Sequence, residues 1–213
     1  MKKILLGFIA IGLLTFVGCG TSSSVKIGEQ EWMTKNLNLD HFQNGDIIQE
    51  AKTKEEWEKV GKNKEPAWCH YNNNSSAGEK YGKLYNFYAV TDPRGLVPNG
   101  WHVPTDAEWT VLTDYLAANG HSGTEGAALK STSGWDIGGN GTDDYGWLGL
   151  PGGNRNAKYG CFFSAIRLVG SFWSSSQSNT GSAWFRSLRY YADSLARSSA
   201  SMENGFSVRC LRD

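Results

Sequence analysis

Gly100-Trp101-His102-Val103-Pro104-Thr105-Asp106-Ala107-Glu108-Trp109 is the most legible stretch of the chain. Thr105 supplies an oxygen that can cap the amides of Asp106-Ala107-Glu108, and Glu108 reaches back to close a capping box. Trp109, Leu112, Tyr115 and Leu116 then fall on one face at helical spacing, and Asn119-Gly120 ends the segment. The pattern predicts an amphipathic helix that offers an aromatic and aliphatic face to a core. His102, between Trp101 and Val103, reads as a packed, hydrogen-bonded residue.

Toward the N-terminus, Val25-Lys26-Ile27-Gly28-Glu29-Gln30-Glu31-Trp32-Met33 alternates like a strand and leads into a turn. Thr53-Lys54-Glu55-Glu56 is a second capping box, opening a short helix that carries Trp57 and Val60 and stops at Gly61. The aromatic run Leu84-Tyr85-Asn86-Phe87-Tyr88-Ala89-Val90 reads as a short buried helix, with a strand left open by its periodicity. From Ser131 onward no helical period survives. Strand-like pieces recur at Phe172-Trp173, Ala183-Trp184-Phe185 and Phe206-Ser207-Val208-Arg209-Cys210. Helices early and small strands late predict an α+β domain.

The chain of 213 residues has 21 Lys plus Arg against 21 Asp plus Glu. One domain with one core suits that length, and 9 Trp, 9 Tyr and 9 Phe supply the core's bulk. The charge balance excludes a basic nucleic-acid arm and an acidic disordered chain. Lys2 and Lys3 precede an uncharged run from Ile4 to Val17, the order of a secretory signal. Phe16-Val17-Gly18-Cys19 resembles the lipobox of bacterial lipoproteins, although Phe16 departs from the usual aliphatic residue. That resemblance implies a signal peptide over 1–18, a lipid on Cys19, a tether over 19–24 and a lipid-anchored domain over 25–213 at the cell envelope. Without residues 1–18 the formal charge is −2.

Spread in consistent order over residues 25 to 213, several motifs resemble the Fibrobacter succinogenes major paralogous domain family. They include Ile27-Gly28-x-Gln30-x-Trp32-Met33, Tyr81-Gly82-x-Leu84-Tyr85-Asn86, Gly100 to Trp109, Gly141-Thr142-Asp143-x-Tyr145-Gly146, Leu150-Pro151-Gly152-Gly153-x-Arg155 and Phe206 to Cys210. The resemblance implies a C-type-lectin-like scaffold of the kind also used by formylglycine-generating enzymes, with two main helices, small antiparallel sheets and late loops free to vary. Fold alone assigns no function. Cys69 and Cys210, both at family-like positions, are expected to staple an early segment to the last strand, leaving Cys161 buried or odd.

No catalytic constellation is present: there is no C-x-x-C, G-x-S-x-G, P-loop or G-x-G-x-x-G, and His41, His70, His102 and His121 lack ligand spacing. Asp136, Asn140, Asp143 and Asp144 are the best oxygen-donor cluster, a weak calcium candidate that Asx turns explain equally well. No cofactor is expected.

Between Trp184 and Met202 runs Phe185-Arg186-Ser187-Leu188-Arg189-Tyr190-Tyr191-Ala192-Asp193-Ser194-Leu195-Ala196-Arg197-Ser198-Ser199-Ala200-Ser201. Tyr gives large contact area with few rotors, Arg gives forked donors, and Ser or Ala makes room. Gln177, Phe185, Arg186, Leu188, Arg189, Tyr190, Tyr191, Asp193, Leu195 and Arg197 are therefore the candidate ligand-binding residues, with Trp173 and Trp184 framing them from beneath. For Leu188 and Leu195 a core role has equal weight. The 17-residue window holds no Lys, Glu, Gln, Met or Trp, the types that pyrimidine-ending codons cannot encode. Some proteins of this fold are variable proteins of diversity-generating retroelements, whose adenine mutagenesis would leave that trace. The expected function is recognition of an extracellular protein or glycan by a monomeric surface lipoprotein, not an enzyme and not a nucleic-acid binder. A formylglycine-type oxidase and a structural envelope component are the alternatives.

Overall fold

A computed structural model describes residues 23–136, 138–158 and 160–213. The signal segment 1–18, Cys19 and the tether as far as Ser22 lie outside the described residues. Strands β1 (Ser24–Ile27), β2 (Gln30–Met33) and β3 (Gln49–Glu50) precede helix α1 (Lys54–Asn63). Strand β4 (Ala67–Cys69), α2 (Ser75–Tyr81), β5 (Leu84–Tyr85), α3 (Phe87–Val90), β6 (Trp101–His102), α4 (Asp106–Leu116) and α5 (Glu125–Leu129) follow. The later part is all strand: β7 (Gly152–Arg155), β8 (Phe163–Ile166), β9 (Val169–Asn179), β10 (Ser182–Arg189), β11 (Ala192–Ser201) and β12 (Leu211–Arg212). The fold is α+β.

Both capping boxes form. The Glu56 carboxylate accepts the Thr53 amide at 2.9 Å, and that of Glu108 accepts the Thr105 amide at 2.7 Å. Helix α1 runs through Gly61 to Asn63, and Lys64 in the left-handed conformation caps it. The expected single strand at the N-terminus is a hairpin of β1 and β2. Gly28 turns it with φ 61°, and a Cβ there would sit 2.7 Å from the Tyr115 ring on α4. The aromatic run at 84–90 divides: Leu84-Tyr85 pair with β4, and Asn86 then caps the single turn of α3. Helix α4 ends at Leu116 and widens into a looser turn over Ala117–His121, with Gly120 at φ 96°.

Three sheets result. Strand β12 lies between β2 and β6, so Leu211 pairs with both Trp32 and His102 and joins the two ends of the domain. A second sheet has the order β11-β10-β9-β7-β8, and a small third one is β3-β4-β5. The expected terminal strand over 206–210 is instead a threaded segment. It makes single bridges from Phe206 to Tyr85 and from Ser207 to Phe172 before β12 begins.

The apolar interior has three clusters. Trp32, Trp109, Trp147 and Phe172 interlock between α4 and the large sheet, with Trp32 and Trp109 ring centres 4.8 Å apart and Trp147 and Phe172 5.2 Å apart. Trp173, Phe206, Phe87 and Tyr85 build a second cluster on the other side of β9. Trp57, Val60, Leu84, Cys69 and Cys161 form the third.

The expected Cys69–Cys210 bridge is not formed. Cys69 belongs to the Trp57 cluster and Cys210 to the Trp173 cluster, and both, like Cys161, are buried free thiols. Burial pushes Cys69 and Cys210 up to about 12, and it raises Cys161 as well. Reactive thiols are exposed and acidic, and these are neither. Iodoacetamide at about pH 8 should therefore leave all three unmodified in the folded chain and label all three in denaturant. A mass of the denatured chain showing two thiols protected would restore the bridge.

Candidate functional site

The hairpins β9–β10 and β10–β11 carry the candidate window, and the faces of β10 explain which residues are free. Arg186 and Leu188 lie on the α4 side, whereas Ala183, Phe185 and Ser187 lie on the Trp173 side. Both sides are covered, so the strand is largely interior. Arg186, Leu188 and Leu195 are buried, against the expectation that they meet a ligand. Leu188 and Leu195 take the core role, packing with the Trp109 cluster. Phe185 is half-buried, with its ring centre 4.7 Å from that of Phe206. Gln177, Tyr191, Asp193 and Arg197 are exposed, and Arg189 and Tyr190 are half-buried.

Arg186 is interior because α4 begins above it. It stands opposite Arg197 in the β10–β11 register, and the Asp106 carboxylate lies between the two guanidinium groups. Arg186 donates to Asp106 Oδ1 at 2.6 Å and to Thr110 Oγ1 at 3.1 Å, while Arg197 donates to Asp106 Oδ2 at 2.8 Å. Asp106 thereby ties the first turn of α4 to two strands. The Arg197 guanidinium also lies 3.5 Å from the centre of the Trp184 ring. Trp184 is half-buried and reaches the surface beside Arg197, so only Trp173 frames the sheet from beneath.

The tip of the β10–β11 hairpin is held from inside. Lys130, buried below it, donates to the carbonyls of Arg189 at 3.3 Å and Ala192 at 3.1 Å. The two carbonyls flank Tyr190 and Tyr191, whose rings meet nearly at right angles with centres 5.2 Å apart. Arg189 donates to the Tyr191 hydroxyl at 3.3 Å. Helix α5 supports the start of β11 closely enough that a Cβ on Gly126 would lie 2.5 Å from the Ser194 carbonyl oxygen. The backbone of the exposed aromatic tip is thus braced from inside, which leaves less ordering to be done there on contact.

Partial burial pushes the Asp106 carboxyl up, but the hydrogen bonds from Arg197 and Arg186 outweigh it, and the group titrates below the ordinary aspartate range. A carboxyl depressed in the folded state contributes stability above its unfolded pKa, and the contribution is lost as pH falls through the folded value. Asp106→Asn should therefore cost about 2–4 kcal/mol at pH 7 by leaving Arg186 buried without a counter-charge. The variant should also lose less stability than the parent between about pH 5 and pH 2. Urea titrations at both ends of that range check it, and parallel pH profiles for the two proteins would refute the coupling.

The oxygen donors singled out for calcium are engaged locally. Asn140 Oδ1 accepts the Trp135 amide at 3.1 Å, Asp143 Oδ1 accepts the Leu148 amide at 2.8 Å, and Asp144 accepts the Thr142 hydroxyl at 2.8 Å. Asp136 is paired with Arg167. Among the described residues no group of three His, Cys, Asp or Glu side chains converges. His102 is hydrogen-bonded on both ring nitrogens, to Asp213 at 2.8 Å and Glu108 at 3.0 Å.

The sequence reading did not single out Asp106 and Lys130 for the site. Asp106 had a visible place in the first turn of a capped helix, but nothing local to it pointed to two arginines 80 and 91 residues away. Lys130 carried no signal at all.

An α+β scaffold with a braced, aromatic hairpin edge describes a class of domain without specifying a chemistry. The Fibrobacter succinogenes major domain profile matches residues 25–212, and the chain belongs to that family. No curated protein and no solved structure matches the chain.

Proposed function

We propose that the chain is a lipid-anchored surface protein whose β10–β11 hairpin recognises an extracellular protein or glycan. Cys19 carries the lipid, and the domain has the C-type-lectin-like organisation that the family motifs suggest. The carrying observation is the pairing on that hairpin of an exposed group with a half-buried one: Tyr191 beside Arg189 at the tip, and Arg197 stacked on Trp184 further along. Tyr191 offers an exposed ring with its hydroxyl, and Arg197, whose Nε and Nη2 are held by Asp106, keeps Nη1 as a donor for a ligand. Asp193, Ser199 and Gln177 are exposed polar groups on the same two hairpins. No helix among the described residues is long and apolar enough to cross a membrane, so attachment in this reading rests on the lipid.

Protein and glycan arrays probed with the lipid-bearing chain test the reading. An Arg189→Ala/Tyr191→Ala variant should keep the parent's melting temperature and lose array signal by about tenfold or more. An identical binding profile for the two proteins would remove the hairpin from consideration. Retroelement diversification of the window rests on its amino-acid composition alone, and it would have to spare the buried Arg186, Ser187, Leu188 and Leu195. A near-identical template repeat in the neighbouring DNA, differing only at adenines, is the observation that decides it.

A further inference from the structure

A second concave surface, of mixed polar and apolar lining, lies away from the hairpin, where the chain enters the domain. Ser23 is fixed there, its carbonyl accepting the Thr34 amide at 3.0 Å and the Thr34 hydroxyl at 3.1 Å. Ser23 lines a hollow of about 470 Å³ whose apolar walls are Met33, Leu37, Leu39 and Pro98, with Lys35, Asn36 and Asn38 as its polar members. Lys35, Asn36 and Asn38 also line a neighbouring hollow of about 420 Å³, closed on its far side by Lys80, Ser131, Thr132 and Ser133. The two hollows adjoin through the shared residues Lys35, Asn36 and Asn38, a two-part groove in which Lys80 belongs to the second part. Both lysines are exposed, and among the described residues neither forms a salt bridge. Glu79 is the one carboxylate among the lining residues. Asn36 is locked at the base, accepting from Arg209 and donating to the Tyr81 carbonyl, which holds that wall in place.

We infer that this groove seats the anionic headgroups of the leaflet in which the Cys19 acyl chains are embedded. The inference rests on the anchoring reading above. Four residue steps separate Cys19 from Ser23. Fully extended they reach about 14 Å, so the surface around Ser23 is held within that distance of the lipid. The groove that opens at Ser23 is then within reach of the headgroups. Ammonium groups, hydroxyls and side-chain amides at its walls match a phosphate and its glycerol or sugar substituent, and the volume suits a group of that size. An anchored protein so seated would hold a defined orientation, whereas a lipid on a short tether alone fixes only distance.

The test uses the full chain purified from membranes and reconstituted into phosphatidylcholine vesicles, with or without about 30 mol % phosphatidylglycerol. Amide exchange at residues 33–39 and 131–133 should slow about tenfold or more in the anionic vesicles, and Lys35→Gln/Lys80→Gln should return it to the rate in neutral ones. Equal rates in the two vesicle types overturn the inference. So does equal slowing by millimolar inorganic phosphate with neutral vesicles, which would make the groove a site for a free anion. The mass of the N-terminal peptide reports acylation separately. Should it carry no lipid, the anchor reading fails, and flotation of the same chain with the two vesicle types decides the groove by itself. Preferential flotation with anionic vesicles that the double variant abolishes sustains it, and equal flotation rejects it.

Discussion

Arg209→Leu should unfold the domain or lower its stability by about 4 kcal/mol or more, a large part of the roughly 5–15 kcal/mol that holds a domain together. Arg209 is fully buried, and its guanidinium donates to the carbonyls of Met33, Trp147 and Leu148 and to Asn36 Oδ1. It lies 4.0 Å from the centre of the Trp147 ring. Burial pulls its pKa down to about 9, which leaves it charged at neutral pH. Leucine fills part of the volume but leaves three carbonyls and an amide oxygen without donors in a dry interior, each at a cost of about 1–3 kcal/mol. Those carbonyls belong to the N-terminal strand and to the loop at 147–148, so the loop should come free first. Arg209→Lys tests the shape of the group as well as its charge. A single ammonium on a flexible stem cannot reach all four oxygens, and it should recover less than half of the loss. Denaturant curves for the two variants against the parent provide the measurement. A loss below about 1 kcal/mol for Arg209→Leu would mean that water replaces the guanidinium at those oxygens.

Arg155 has the same kind of place elsewhere, donating to the carbonyls of Ala51, Lys52 and Thr53, and stacking on Trp57. Lys83 donates to the Asn38 carbonyl at 2.9 Å and lies over the Trp68 ring. With Lys130 they show how a glycine-rich chain with many loops acquires one conformation. Irregular backbone leaves carbonyls without ladder partners, and forked or mobile cations inside the fold collect them. Chain neighbours reveal none of this. Arg209 and Met33 are 176 residues apart, and Arg155 and Ala51 are 104 apart. The helices were legible for the opposite reason, since Thr53 with Glu56 and Thr105 with Glu108 act across three positions. Composition misled at Arg186. An arginine in a serine- and tyrosine-rich strand reads as surface until the first turn of a helix from the middle of the chain lies across it. Tyr191, Asp193 and Arg197 are exposed, although Lys130 and Asp106 reach that edge to pair with Asp193 and Arg197. Cys69 and Cys210 misled in another way, because a position shared with a family does not bring two sulfurs into one cluster.

The second large effect is expected at Trp109, in the first turn of α4. Its ring is fully buried and packs against Trp32 at 4.8 Å, Trp147 at 6.0 Å and Phe172 at 6.2 Å between ring centres. Its Nε1 donates to the Trp173 carbonyl on β9. One side chain therefore connects α4, the N-terminal hairpin, the 147 loop and the large sheet. Trp109→Ala should cost about 3–5 kcal/mol through lost transfer energy and the cavity left among three other rings. Trp109→Phe keeps most of the apolar contact, shrinks the cavity and removes the indole donor, so its cost should fall between that of alanine and the parent. Val111 supplies the control on the same helix, being 54 % exposed on the opposite side. Val111→Ala should stay within about 0.5 kcal/mol of the parent, because the side chain is largely exposed and alanine favours the helix. Urea unfolding of the three variants tests whether α4 is held by its buried face or by its capping box. If Trp109→Ala cost no more than Val111→Ala, the helix would be standing on local hydrogen bonds, and the aromatic cluster would not be what joins it to the sheet that displays Tyr191 and Arg197.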